Sequence, residues 1–355
     1  MKINNTQYTS LWYEVSTDQV LYIDQTRLPW ELVIREMKTF EDGIRAIADM
    51  EVRGAPLIGV AAAFAMYVGQ RIPAFAGMTK EMADRLVATR PTAANLAWAV
   101  EQMLQITNNR QPATGNGSPE PAPAKAGVTG HWSLLQKALE IRQTELDRSR
   151  LIGEHGLPLI QEIAERKGGE PVNILTHCNA GWLAAVDYGT ALAPVYLAHD
   201  SGIPVHVWVD ETRPRNQGAK LTVYELSRHG VPNTLIVDNA GGHLMQQGKV
   251  DLVIVGADRI TANGDVVNKI GTYLKALAAY DNHVPFYVAA PSSTFDPDTP
   301  AGRDVPIEER GEDEVLFTEG HVRMAMEGTR VSNPGFDVTP SRLVTGYITE
   351  DCRDA

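Results

Sequence analysis

Four short segments between residues 171 and 275 carry side chains able to act together on one small anionic substrate. They are Thr176-His177-Cys178-Asn179-Ala180-Gly181, Glu211-Thr212-Arg213-Pro214-Arg215-Asn216-Gln217-Gly218, Val255-Gly256-Ala257-Asp258-Arg259 and Asn268-Lys269-Ile270-Gly271-Thr272-Tyr273. Together they hold a thiol, a carboxylate, several cations and glycine-rich backbone. Three of the four stand at or just past the end of an apolar run that reads as a buried strand. In open α/β sheets ligands bind at that end of the strands.

Cys178 follows Ile174-Leu175-Thr176 and precedes Asn179-Ala180-Gly181, which reads as a helix start. A thiol at a helix N-terminus faces oriented N–H dipoles and ionises more readily. A lone cysteine more often serves as a small buried hydrophobe, and the polar neighbours His177 and Asn179 are what argue against that here. Asp258 ends the run Asp251-Leu252-Val253-Ile254-Val255-Gly256. A carboxylate there is ordinarily a helix cap. Gly256 and Ala257 leave room for a ligand, and apolar strands on either side would raise the acid toward a general acid's working range. Arg53, Arg90, Arg213, Arg215 and Lys269 are candidate phosphate ligands, although Arg213 and Arg215 could instead bind Asp210 and Glu211 within their own loop. Gln217 offers an amide to sugar hydroxyls. Asn268 and Lys269 are adjacent, so a bent segment is expected to turn both inward.

The elements that must hold these residues follow from the pattern of apolar positions. Residues 8–27 alternate as two strands of a hairpin. Helical spacing runs from Thr39 to Met50, an Ala-rich helix follows Arg53-Gly54-Ala55-Pro56, and Arg90-Pro91-Thr92-Ala93 precedes a helix over residues 94–106. Helices resume from about Trp132 to Lys167. Residues 71–79 and 108–130 break the pattern and read as mobile surface insertions, the second being dense in Pro, Gly, Ala and Asn. After Gly168-Gly169, apolar runs at residues 172–176, 204–209, 233–237, 250–255 and 285–289 alternate with helical stretches such as 184–199 and 221–228. Continuous apolar strands with intervening helices imply a parallel sheet covered on both faces. The expected fold class is therefore α/β: a smaller, mainly helical N-terminal domain with a short β-hairpin over residues 1–150, then a Rossmann-like parallel-sheet domain over residues 151–355.

Composition narrows the partners. A net charge of −12 over 355 residues argues against nucleic acid. No apolar stretch is long enough to cross a membrane, so no membrane partner is expected. Two cysteines, Cys178 and Cys352, imply no disulfide framework and point to a reducing cytoplasm. The nine histidines include no pair in ligand spacing, so no metal is expected. Neither a strand-linked Gly-x-Gly-x-x-Gly nor a phosphate-loop Gly-Lys-Ser/Thr motif occurs, which leaves dinucleotide and ATP chemistry without support.

With these segments assembled, the chain resembles the methylthioribose-1-phosphate isomerase family of methionine salvage. The resemblance spans nearly the whole chain outside the two insertions. It rests on Arg53-Gly54-Ala55-Pro56-Leu57-Ile58-Gly59, Arg90-Pro91-Thr92-Ala93-Ala94-Asn95-Leu96, the four segments above, and Asn333-Pro334-Gly335-Phe336-Asp337-Val338-Thr339-Pro340. It implies conversion of 5-methylthioribose 1-phosphate to 5-methylthioribulose 1-phosphate by a cytoplasmic homodimer without a cofactor. The family's catalytic cysteine and aspartate fall on Cys178 and Asp258. Its substrate-binding positions fall on Arg53, Gly54, Ala55, Arg90, Gln217, Asn268 and Lys269. Trp182 departs from the pattern, which usually has a small residue there, and residues 239–243 match more loosely. The fold is shared with ribose-1,5-bisphosphate isomerase and with regulatory subunits of a translation-initiation exchange factor, which are binding proteins, so activity has to be argued from the site.

Overall fold

The computed structural model describes residues 1–3, 6–70, 80–91, 93–108, 126–318 and 320–351. The expected insertion over residues 71–79 and most of the one over 108–130 lie outside these.

Six parallel strands form the central sheet, in the spatial order Gly346–Ile348, Phe286–Ala289, Leu252–Val255, Val172–Thr176, Val205–Asp210 and Asn233–Ile236. Numbered along the chain, that order is 6-5-4-1-2-3, the doubly wound arrangement of Rossmann sheets. The inner strands bury their Val, Ile and Leu side chains, as in Leu252–Val255, where all four residues are buried, while Leu235 on the edge strand is exposed. The strand order reverses between Val172–Thr176 and Leu252–Val255. Crossovers leave in opposite directions there, and the loops after these two strands part to form a crevice. Cys178 and Asp258 stand on those two loops.

The five apolar runs lie within two residues of their expected starts and ends. The sixth strand, Gly346–Ile348, was not apparent, and neither was a second sheet ordered Phe295–Asp296, Arg259–Thr261, Val266–Lys269, Phe336–Thr339. That sheet places Asn268 opposite Asp337 and Lys269 opposite Phe336. The two residues are thus on a straight strand, not a bend. A strand buried on both faces takes both inside, and alternation sends them to opposite sides.

The N-terminal part holds a three-stranded antiparallel sheet, Leu11–Glu14, Gln19–Ile23 and Ile34–Glu36, one strand more than the expected hairpin. Helix Phe40–Ala48 opens on a capping box in which Thr39 and Asp42 satisfy each other's backbone N–H groups. All fifteen residues of the next helix, Ala55–Gly69, are buried, which suits its unbroken Ala, Val, Leu and Phe composition. Helices Lys80–Thr89 and Ala94–Asn108 pack beside it. The next helix begins at Ala126, not near Trp132, and runs 42 residues to Lys167, about 63 Å at 1.5 Å per residue. Its first half packs on the N-terminal core and its second on helix Ala193–Asp200 beside the central sheet, so one helix serves both parts.

Two expected helices differ from their patterns, one starting late and one early. Residues 177–192 form no α-helix; a 3₁₀ turn covers Trp182–Ala184 and the α-helix begins only at Ala193. The 221–228 stretch starts earlier, as a wide π-turn over Gly218–Thr222 that leads into Val223–His229.

Candidate active site

The crevice at the strand reversal is lined by Arg53, Gly54, Ala55, His177, Cys178, Asp258 and Asn268, among others. Gly54 and Ala55 bring the N-terminus of helix Ala55–Gly69 to its wall, with Pro56 in the first turn. Only glycine fits at position 54. Its φ is +101°, and a Cβ there would lie 2.3 Å from the backbone oxygen of Ala184. First-turn N–H groups without intrahelical partners attract anions.

Cys178 does not sit on a helix N-terminus, contrary to the expectation from Asn179-Ala180-Gly181. It occupies a left-handed conformation, φ +63°, at the strand end. A side chain other than glycine pays roughly 1–2 kcal/mol for that geometry. Two buried threonines hold it there. The Cys178 N–H donates to Thr212 Oγ1 at 2.8 Å, and Thr222 Oγ1 donates to the Cys178 carbonyl at 2.7 Å. Thr212 is itself left-handed, at φ +64°, and its N–H and that of Arg213 both donate to the Asp238 carboxylate at 2.8 Å. Strain of this kind gathers at functional sites whose surroundings over-determine it.

His177 is wholly enclosed. Nδ1 lies 2.8 Å from Asp210 Oδ2, and Nε2 lies 2.8 Å from the Ile270 carbonyl. His177, Asp210 and Asp238 offer ligand atoms within 4.8 Å of one another, the geometry of a possible metal group. A cation is already in place, because Lys275 Nζ sits 3.1 Å from Asp210 Oδ2 and donates to the Asp238 carbonyl. With the Asp238 carboxylate capping two backbone N–H groups, this cluster is a buried ion-pair network.

Arg90 and Lys269 form a cationic wall behind the crevice. Both are over nine-tenths buried. Burial pushes the Arg90 guanidinium below its ordinary range, against the pull of Asp258 and Glu308. Its Nε and Nη1 have no hydrogen-bond partner. Burial likewise lowers Lys269, while the nearby Cys178 and Asp258 act to raise it. Lys269 Nζ donates to the Gly335 carbonyl at 2.8 Å and stands 4.3 Å from the Phe336 ring centroid. The Asn333–Pro340 motif therefore supplies this wall's backing. Asp337 within it caps helix Thr272–Asp281, accepting from the Gly271 N–H at 2.7 Å.

Gln217 is placed differently. It lines an adjoining cleft with Gln25, Met50, Arg215 and Lys220, and Arg53 borders both clefts. Its Oε1 is buried without a partner. Arg213 and Arg215 do not pair with Asp210 or Glu211. Arg213 donates to the Pro214 and Val315 carbonyls, and Arg215 Nη1 binds Glu314 at 2.9 Å. Burial opposes ionisation of Glu314, yet hydrogen bonds from Arg310 and Arg215 hold it down at about 2. Their work is to tie the 211–218 loop to the 308–314 segment.

Several supports had no sequence signal. Thr212, Thr222, Glu225 and Arg310 read as ordinary loop or helix-surface residues, and only the packing brings them to the site. Trp182, the departure from the family pattern, is completely buried in the core beneath the central sheet, where its backbone oxygen accepts from Ser10 at 2.7 Å.

Residues 51–351 match the initiation factor 2 subunit family. The chain is 52% identical over 361 residues to the methylthioribose-1-phosphate isomerase of Gluconobacter oxydans (strain 621H), covering 99% of this chain and 94% of that one. The crystal structure of 5-methylthioribose 1-phosphate isomerase from Pyrococcus horikoshii OT3 superposes with a TM-score of 0.81 at 38% identity, covering 99% and 95% of the two chains. That of the translation initiation factor eIF-2B, subunit delta, from A. fulgidus superposes with a TM-score of 0.76 at 37% identity, covering 97% and 95%. Two neighbours named for different tasks share the fold, so the fold does not by itself separate them. By full-length similarity and family match together, the chain belongs to the initiation factor 2 subunit family, in its methylthioribose-1-phosphate isomerase group.

Proposed function

We propose that this protein isomerises 5-methylthioribose 1-phosphate to 5-methylthioribulose 1-phosphate, as a cytoplasmic homodimer serving methionine salvage. The observation that carries the reading is the meeting of Cys178 and Asp258 in one crevice at the strand reversal, with Arg53, Gly54, Ala55 and Asn268 on its walls and the buried cations Arg90 and Lys269 behind it.

The substrate's phosphate sits on the anomeric oxygen and blocks free ring opening, so ordinary aldose–ketose chemistry needs an acid first. Asp258 gives a proton to the ring oxygen as the bond between C1 and that oxygen breaks. Hydrogen then passes from C2 to C1, and C2 becomes the ketone carbon as its hydroxyl proton is lost. That proton restores Asp258. Carbon 2 is oxidised and carbon 1 reduced within one molecule, so the balance requires no external redox partner. Cys178 stands beside the transfer, either taking and returning the C2 proton or stabilising a direct hydride shift. Arg53, Arg90, Lys269 and the first turn of helix Ala55–Gly69 bind the phosphate, while Asn268 and Gln217 bind sugar oxygens.

Turnover of 5-methylthioribose 1-phosphate compared with ribose 1,5-bisphosphate tests this directly. The expected outcome is preference for the methylthio substrate; failure to turn over either would sink the reading. Running the reaction in deuterated water then separates the two transfer routes, because a hydride shift leaves no solvent label at C1 whereas an exchanging enediol introduces it.

A further inference from the structure

Arg53 is held from behind by a relay of three buried side chains. Its Nη1 donates to Oδ1 of Asn179 and its Nη2 to the Asn179 carbonyl at 2.8 Å. The Asn179 amide nitrogen donates in the opposite direction, to Glu225 Oε1 at 2.5 Å and Thr222 Oγ1 at 3.2 Å. Glu225 has no exposure, and its second oxygen accepts from the Leu183 N–H at 3.2 Å. The loop leaves a slot for this carboxylate, since a Cβ at Gly181 would lie 2.0 Å from Glu225 Oε1. Glu225 lines neither cleft.

The polarity of the relay matters more than its shape. The two ends of an asparagine amide are almost the same size, so shape alone does not orient it. Above about pH 8, where Glu225 is ionised, its carboxylate only accepts hydrogen bonds and therefore admits the NH₂ end alone. The carbonyl end is then left facing Arg53, which only donates. A flipped amide would set NH₂ against guanidinium and oxygen against carboxylate, losing both contacts. Thr222 adds a second constraint, because its hydroxyl proton is committed to the Cys178 carbonyl and its lone pair to Asn179.

We propose that Glu225 is a positioning residue: it fixes the Asn179 amide with its carbonyl toward Arg53 and thereby aims the Arg53 guanidinium at the substrate's phosphate. Burial pushes the Glu225 carboxyl up to about 8, with the Leu183 N–H, Asn179 and Arg53 drawing it back. Keeping an acid at such a desolvated place is costly, and a leucine would fill the space without that cost. The relay is what the acid supplies.

The proposal rests on the phosphate-binding role given to Arg53 above, so two variants and two readouts are needed. Glu225→Gln presents NH₂ to the Asn179 amide and should raise KM about tenfold or more, the loss of one charge-assisted contact, with kcat within about threefold of wild type. The double variant Asn179→Asp with Glu225→Gln reverses the polarity: the new carboxylate accepts from both the glutamine and Arg53. Its KM should return to within about threefold of wild type. An unchanged KM in Glu225→Gln, or a double variant as poor as the single, would overturn the proposal. Should Glu225→Gln fail to fold, the double variant is compared with wild type alone, and a tenfold rise in its KM counts against the relay. A crystal structure of Glu225→Gln reads the Arg53–Asn179 contact without any assay. Retention of both contacts there refutes the relay even if the substrate assignment is wrong, and their loss supports it.

Discussion

His177, Cys178 and Asn179 form a finished wall: both ring nitrogens, the thiol residue's N–H and C=O, and both ends of the amide are partnered. Across the crevice, Arg90 lies equally deep but keeps two N–H-bearing nitrogens without partners, and Gln217, in the adjoining cleft, keeps an orphaned oxygen. Native proteins rarely leave buried polar atoms in that condition, and each costs about 1–3 kcal/mol. The first wall is complete in the free protein; on the proposed reading, the second gains its missing contacts from substrate, Arg90 from a phosphate oxygen and Gln217 Oε1 from a sugar hydroxyl. The two walls should therefore respond to substitution in opposite ways, one losing stability and the other losing affinity.

The largest effects belong to the residues that face each other across that divide. Cys178→Ala and Asp258→Asn should each lower kcat by about 10²–10⁴, the usual range for a lost acid–base group, with thermal unfolding near wild type. Steady-state turnover and a melting curve check both. Wild-type rates in either variant would remove that residue from the chemistry and leave the crevice as a binding site only.

Smaller effects separate the walls themselves. Thr222→Val leaves the Cys178 carbonyl and the Asn179 amide each short of a partner, so unfolding free energy should fall by about 1–3 kcal/mol. Arg90→Met removes a desolvated charge, two of whose nitrogens are orphaned. It should leave unfolding free energy unchanged or raise it by about 1 kcal/mol while KM climbs tenfold or more. Denaturant titrations of the two variants decide the matter. If Arg90→Met proves as destabilising as Thr222→Val, the cationic wall is structural and the contrast fails.

Much of this contrast was out of reach of the sequence, for physical reasons. Strand Val172–Thr176 was legible to the residue, because an apolar run between Pro171 and a polar tail has few alternatives. Cys178 and Asp258 were legible as strand-end positions for the same reason. The second sheet was not, because its strands are two to four residues long and carry Asn268, Lys269 and Asp337, whose burial depends on tertiary packing. Asn179-Ala180-Gly181 reads as a helix start, yet the Asn179 amide is bound to Arg53 and Glu225 and the chain forms no α-helix until Ala193. Glu225 lies in Val-Tyr-Glu-Leu-Ser-Arg-His, where local spacing suggests an exposed helical acid. Its slot is made by Gly181, more than forty residues earlier in the chain.

A pH-dependent effect is expected at the joint between the long helix and the segment after Pro291. Glu145, on the long helix, pairs with Arg148 at 2.6 Å, and Arg148 also binds Glu350 at 2.9 Å and Ser293 Oγ at 3.2 Å. Asn95 donates to the same Ser293 at 2.7 Å, so the helix after Arg90 is tied to the segment following Pro291, which lines the crevice. Burial pushes the Glu145 carboxyl up to about 7 from 4.5, with Arg148 pulling down and Glu350 pushing up. Between those two values the folded state holds more protons than the unfolded one. Stability from this group is thus fully present below about pH 4.5 and is lost as pH rises through 7. Glu225, raised to about 8, adds a slope of the same sign, so the test is a difference measurement. Relative to wild type, Glu145→Gln should gain unfolding free energy steadily from pH 5 to 7 and level off above it, by no more than about 1.4 kcal/mol per pH unit for one proton. Denaturant unfolding at four pH values suffices. A difference that does not change with pH would mean that Glu145 keeps its ordinary acidity in the fold, and that the joint is an ion pair at every pH rather than a protonatable one.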